Sequence, residues 1–276
     1  DDLIKEIDKI KAYDTLKLIT DTKNYWRRYV KKHETIKVKY DDELYNAKIQ
    51  KILRRTILLF PLLVNEETGG IIAALEVDEE KDLCGRYAYC WPRDAVTISQ
   101  ALDMVGMYKD ADNFYNIFLR KTQSKNGMWE QRFYTDGRLA PCWGYQIDET
   151  ASVIAGLYQH FKIKEFRLKE RDIDFLKDNL IMCENAIEFL KNYIDNLLND
   201  KGMEENLQTK YSYLDRSQIY KHVSYDLWEM NEGIHLYSLS AIYAAFDAMG
   251  KIYAELQKSI KKFKIPKETE KLEEYK

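Results

Sequence analysis

The sequence predicts an all-α protein whose helices form two concentric layers. Three observations carry this reading. Helical periodicity is nearly continuous from Glu43 onward. Charged, striped helices alternate with helices that carry few charges on any face. Strand signal is slight. A helix apolar nearly all round is buried on all sides, whereas a striped one turns its polar side to water. An inner layer wrapped by an outer one produces that alternation, and a simple bundle does not need it.

Residues 1–40 read as one or two short charged helices suited to a linker. Within them "TIKVKY" (35–40) alternates like a short strand. The main domain is expected over 41–276. It opens on a helix whose apolar face is Ile49, Ile52, Leu53, Ile57 and Phe60. "TGGII" (68–72) reads as a turn. "AVTISQALDMVGM" (95–107) is the first buried-type helix. "MWEQRFYTDGRLAPCW" (128–143) sets Asp136-Gly137 between two short runs and reads as a small β-hairpin in a connecting loop. "TASVIAGLYQHF" (150–161) is the second buried-type helix. Leu176, Leu180, Cys183, Ile187, Leu190, Ile194 and Leu197 recur in steps of four and three, which marks a strongly amphipathic helix. "IHLYSLSAIYAAFDAM" (234–249) is the third buried type. Its small residues, like those of the other two, permit close helix contacts. "KETEKLEEYK" (267–276) reads as a charged helix.

Composition narrows the function classes. At 276 residues and 45% hydrophobic, the chain can bury a sizeable core. Net charge is −3, with lysines interleaved among acids. A nucleic-acid partner would want a clustered basic face. No apolar run reaches membrane-spanning length. Cys84, Cys90, Cys142 and Cys183 match no zinc spacing, and a reduced, cytoplasmic setting is expected. The four histidines form no ligand pair, so neither a metal nor a cofactor is expected. The 21 Tyr and five Trp are flat amphipathic rings that suit sugars, or equally fill a core.

Each buried-type helix follows an aromatic and acidic cluster. These are "YAYCWPRDA" (87–95), "CWGYQIDET" (142–150) and "YDLWEMNEG" (225–233). If the buried helices are parallel neighbours, the clusters meet at one end and line one pocket. The plain alternative is that Asp94, Asp148 and Glu232 cap helix starts, with Pro92 in a first turn. Three such clusters, each with a tryptophan, favour a site. Tryptophan offers a face to a sugar ring, while Arg and Asp offer directional bonds to hydroxyls. Desolvation beside a tryptophan raises the pKa of a carboxylic acid and keeps it protonated. Glu229, directly after Trp228, is the candidate proton donor, against the alternative of an ordinary first-turn glutamate.

In this order the three motifs, with "TGGIIAA" (68–74) and "GIH" (233–235), resemble glycoside hydrolase family 15, which holds glucoamylases, glucodextranases and some trehalases. The resemblance runs from about residue 43 to about residue 250. It implies an (α/α)6 barrel of six inner and six outer helices. It implies an inverting hydrolase that frees glucose from the non-reducing end of α-glucosides, whether oligosaccharide or disaccharide. By the same resemblance Glu229 is the general acid, Arg93 and Asp94 hold the terminal glucose, Tyr87 and Trp91 wall that subsite, and Trp143 and Trp228 line the pocket further out.

Two departures follow. Many members carry a second acid after the general acid, where this chain has Met230. An inverting enzyme also needs a second carboxylate about 6.5–9.5 Å from the first. In the family that base lies far downstream, and 47 residues follow Glu229 here. The expectation is therefore the first half of a catalytic domain, lacking the base. It would self-associate or be covered by a missing second half of the barrel. Alternatives are an α,α-trehalase of the same family, a non-catalytic sugar-binding or regulatory module of the same fold, and a plain helical scaffold.

Overall fold

The computed structural model describes residues 2–37, 39, 41–77, 87–142, 144–199, 224–261, 263–265, 272, 274 and 275. It divides into two compact units, residues 1–62 and 63–276.

The first unit is helical. α1 spans Asp2–Lys11, α2 Thr15–His33, and α3 Glu43–Leu63, whose last residue opens the second unit. Asp14 caps α2 by accepting from the amides of Leu16 and Lys17. Asp42 does the same for α3 through Leu44 and Tyr45. Glu34 ties the helices together, accepting from Arg54 Nε at 2.8 Å and from Gln50. Residues 35–37 and 39 are not in a strand; Val38 and Tyr40 lie outside the described residues. On α3, Ile57 and Phe60 are buried, but Ile52 is 62% exposed. At 3.6 residues per turn Ile52 stands roughly 60–140° round from the rest of its expected face.

The second unit carries the buried-type helices. α4 is Pro92–Met104, α7 is Ile147–Leu168 and α9 is Leu236–Ser259. Between α4 and α7 run α5 (Tyr108–Asn113), a π-helical stretch Phe114–Leu119, and α6 (Arg120–Thr122). α8 spans Ile173–Asn199. α7 packs against α4 and α9, while α8 packs on α7 and α9. Buried inner helices and a half-exposed outer one form the two layers that the hydropathy pattern predicts. α8 buries Leu176, Cys183, Ile187 and Leu190 and half-buries Leu180, Ile194 and Leu197. α9 departs from the expectation along one stripe, where Leu236, Tyr237 and Tyr243 are exposed.

Small residues set the inner spacing. A Cβ on Gly156 of α7 would lie 2.4 Å from Val96 Cγ1 of α4. The helices run parallel, since Arg93 meets Asp148 at their starts and Asp103 meets His160 further along. α7 and α9 are parallel as well: Ser224 Oγ, just ahead of α9, accepts from Ile147 N, and Lys162 pairs with Glu255 toward the other ends.

The hairpin at 128–143 is reduced to single bridges. Phe133 pairs with Leu139 across the Asp136-Gly137 turn, and also with Cys90. The two-stranded sheet lies elsewhere: β1 (Ser224–Tyr225) pairs antiparallel with β2 (Glu232–Gly233), and together they bracket the third motif. "TGGII" forms a turn in which Asn65 accepts from the amides of Glu67 and Thr68, with Gly69 at φ +75°. Of "KETEKLEEYK", the described residues Leu272, Glu274 and Tyr275 are 3-10 rather than α-helical. Tyr275 packs on Phe246 and donates to Asp195, so this run docks on α8 and α9.

Candidate active site

The starts of α4 and α7 and the β1–β2 loop converge, and the three clusters meet. Arg93, in the first turn of α4, gathers carboxylates from two motifs. Its Nη1 lies 2.7 Å from Asp148 Oδ2 and 3.0 Å from Glu149 Oε1. Its Nη2 lies 3.2 Å from Asp94 Oδ2. Asp148 and Glu149 are fully buried, whereas the Asp94 side chain is 40% exposed. Burial drives the Asp148 pKa up and the Glu149 pKa well up, because desolvation penalises the charged form more than Arg93 relieves it. Arg93 is therefore largely occupied in holding acids. Asp94 is the member of the pair that meets solvent.

Asp94 and Asp148 do lie in the first turns of α4 and α7, with Pro92 opening α4, but neither is an N-cap residue. Trp91 and Gln146 occupy the N-cap positions of α4 and α7, and neither makes a side-chain capping bond. Asp94 bonds Arg93, and Asp148 bonds the same guanidinium. Glu232 lies in β2 rather than at a helix start.

Glu229 stands in the loop between β1 and β2 with φ +59°, a left-handed conformation that few non-glycine residues adopt. Asp226 builds the turn that holds it. The Asp226 carbonyl accepts from Glu229 N at 2.9 Å and from Gln146 Nε2 at 2.8 Å. Its carboxylate accepts from Met230 N and Asn231 Nδ2, each at 2.9 Å. The ring of Tyr225 fills the space beside Gly144, where a Cβ would lie 2.2 Å from it. The second motif thus supports the third through Gln146 and Gly144.

The tryptophan at Glu229 is not its sequence neighbour. Trp228 points away and is 79% exposed. Buried Trp91 instead donates from Nε1 to Glu229 Oε1 at 3.0 Å. Glu229 is half-buried, and desolvation raises its pKa. The Trp91 hydrogen bond and the charges of Arg132 and Arg93 oppose that rise, while Asp94 adds to it. Tyr87 stacks obliquely on Trp91 with ring centroids 6.2 Å apart and is largely exposed. Trp143 lies outside the described residues, as does Cys84. Among the described residues no group of three His, Cys, Asp or Glu side chains gathers to hold a metal ion, and no helix is long and apolar enough to cross a membrane.

The sequence profile of glycosyl hydrolases family 15 matches residues 45–272. The chain belongs to that family. Over 221 residues it is 25% identical to an uncharacterized glycosyl hydrolase of Methanocaldococcus jannaschii, a match covering 80% of this chain and 29% of that protein. A wild-type glycosidase structure superposes with a TM-score of 0.53 at 15% identity, over 79% of this chain and 58% of that one. A single-residue variant of a glycosidase in complex with glucose gives a TM-score of 0.51 at 16% identity, with the same coverage of each chain. These likenesses establish the all-α glycosidase fold. The family-15 chain thus spans under a third of its curated relative and somewhat over half of the solved glycosidases.

One residue beside this candidate site, Arg132, carries no signal in the sequence motifs. Arg132 lies over both Tyr89 and Trp91, 5.2 Å from each ring centroid. Gln146 reaches across to Asp226. Gln146 belongs to the second aromatic and acidic cluster of the sequence, with Trp143, Asp148 and Glu149. Arg132 sits in a hairpin with no motif of its own, and only the pairing of Phe133 with Cys90 brings it to the site.

Proposed function

We propose that the protein is an inverting α-glucosidase that releases glucose from non-reducing ends, with Glu229 as general acid. The supporting observation is the state of Glu229. It is half-buried, held by the indole N–H of Trp91, and pushed toward its protonated form by desolvation. A general acid has to keep its proton until the leaving oxygen takes it. Asp94, with Arg93 behind it, would bond hydroxyls of the terminal glucose, and Tyr87 would wall that subsite. Trp143 and Trp228 would meet sugar further out.

The water-activating base is assigned to no described residue. Asp148 and Glu149 are buried and paired with Arg93, which unfits them to activate water. Trp228, Met230 and Leu236 are prominent at the surface. We assign their cover to a second copy or a further segment of the barrel, to be read by light scattering against concentration.

The test is an assay of the full-length protein on maltose, isomaltose, trehalose and a maltodextrin, with Glu229→Gln as control. Release of β-glucose from the maltose series, lost in the variant, supports the reading. Trehalose as the preferred substrate would replace it by the trehalase. Sugar binding without turnover would replace it by the regulatory module.

A further inference from the structure

We propose that Arg132 is a positioning residue for Glu229, its charge setting how firmly the acid holds its proton. The inference rests on the general-acid reading of Glu229. Cys90 and Phe133 exchange both hydrogen bonds, Cys90 N to Phe133 O at 2.8 Å and Phe133 N to Cys90 O at 2.9 Å. In an antiparallel pair the next opposed residues are Trp91 with Arg132 and Tyr89 with Tyr134. Arg132 is therefore delivered beside Trp91 by register, whatever its side chain does.

The side chain then completes the arrangement. Its guanidinium carbon lies 5.2 Å from the ring centroids of both Tyr89 and Trp91, a planar cation against two aromatic faces. Its Nε donates to the Pro141 carbonyl. Arg132 is only 6% exposed. A buried cation is retained where an opposite charge faces it. Burial lowers the Arg132 pKa, and the charge that opposes this most is that of Glu229. One residue thereby braces the indole that holds Glu229 and supplies positive charge to it. The other charged groups acting on Glu229 are Arg93 and Asp94 of α4, and both are joined to each other.

The experiment is the pH profile of kcat for the wild-type full-length enzyme, Arg132→Met, Arg132→Lys and Glu229→Gln. Removing the cation makes the proton on Glu229 harder to lose. The alkaline limb should move up by about one pH unit in Arg132→Met. Arg132→Lys should return the limb toward the wild-type position. An unmoved limb in a folded Arg132→Met protein overturns the inference, as does a limb that lysine fails to return. If Arg132→Met does not fold, Arg132→Gln is read the same way. Unfolding of both neutral variants beside a wild-type-like Arg132→Lys would also overturn it, by assigning Arg132 to the fold alone. Full activity of Glu229→Gln would instead sink the general-acid reading. An inactive Glu229→Gln with an unmoved limb in Arg132→Met sinks only the role of Arg132.

Discussion

Glu149 of α7 caps a helix to which it does not belong: its Oε2 accepts the backbone N–H of Arg93, in the first turn of α4, at 2.7 Å. First-turn amides have no partner inside their own helix. Here a carboxylate from the neighbouring helix supplies one, while its other oxygen pairs with the Arg93 guanidinium. The two helix starts are thereby locked together under the site.

Arg93→Met should remove the shared counter-charge of Asp148 and Glu149. Breaking a buried ion pair from one side costs about 3–5 kcal/mol. Both acids already have raised pKa values. Without Arg93 they should take up protons still more readily, so the defect should shrink as pH falls. Thermal melts at pH 4.5 and 7.5 would show this, and an equal defect at both would contradict an ionic origin.

Gly156→Ala should destabilise although alanine is the better helix former. The propensity gain is about 1 kcal/mol. The new methyl would meet Val96 Cγ1 at 2.4 Å and the Tyr115 hydroxyl at 2.8 Å. Overpacking of this kind costs roughly 1–3 kcal/mol. A net loss in denaturant midpoint is expected, and a gain would show that α4 and α7 can spread freely.

Asp226→Ala should harm activity more than stability. The Asp226 carboxylate fastens Met230 and Asn231 around a turn that keeps Glu229 left-handed. Releasing it displaces the Glu229 carboxylate, and a shift near 1 Å costs on the order of 100-fold in rate. Steady-state kinetics beside a melting curve would check this. Wild-type kcat in the variant would mean that the Gln146 bond to the Asp226 carbonyl suffices.

His160 should make stability fall as pH rises. It is fully buried, with Nδ1 at 2.8 Å from Asp103 and Nε2 at 2.9 Å from Asp112. Two carboxylate acceptors require two N–H donors, hence the imidazolium. Burial alone would lower its pKa, but the hydrogen bonds and charges of Asp103 and Asp112 win and raise it. A raised folded pKa gives stability that is complete below the ordinary imidazole value of about 6.5 and is lost as pH climbs through the folded one. Asp148 and Glu149 push the same way from lower pH. The part of the slope that His160→Gln flattens in melts from pH 6 upward is the histidine's share. No flattening would mean that the imidazole is neutral.

Much of the site was legible because the motifs are contiguous. Arg93 and Asp94 lie in the first turn of α4, Asp148 and Glu149 in the first turn of α7, and Glu229 in the loop ahead of α9. Parallel packing of α4, α7 and α9 then brings those motifs to one end. What misled was adjacency along the chain. Trp228 precedes Glu229, yet consecutive side chains in a tight turn diverge, and Trp228 faces solvent. The acids likewise read as caps, because a carboxylate at a helix start looks the same whether it serves its own helix or the next.

The sequence by itself determined the helix types, the stripe of α8 and the three clusters. These depend on residue spacing within one element, which hydrophobic periodicity records. Only the tertiary structure decided that Trp91 holds Glu229, that Glu149 caps α4, and that Arg132 enters the site. Each of those contacts joins residues from about 40 to 140 positions apart, and such pairs are fixed by helix packing and strand register rather than by anything in the local run of residues.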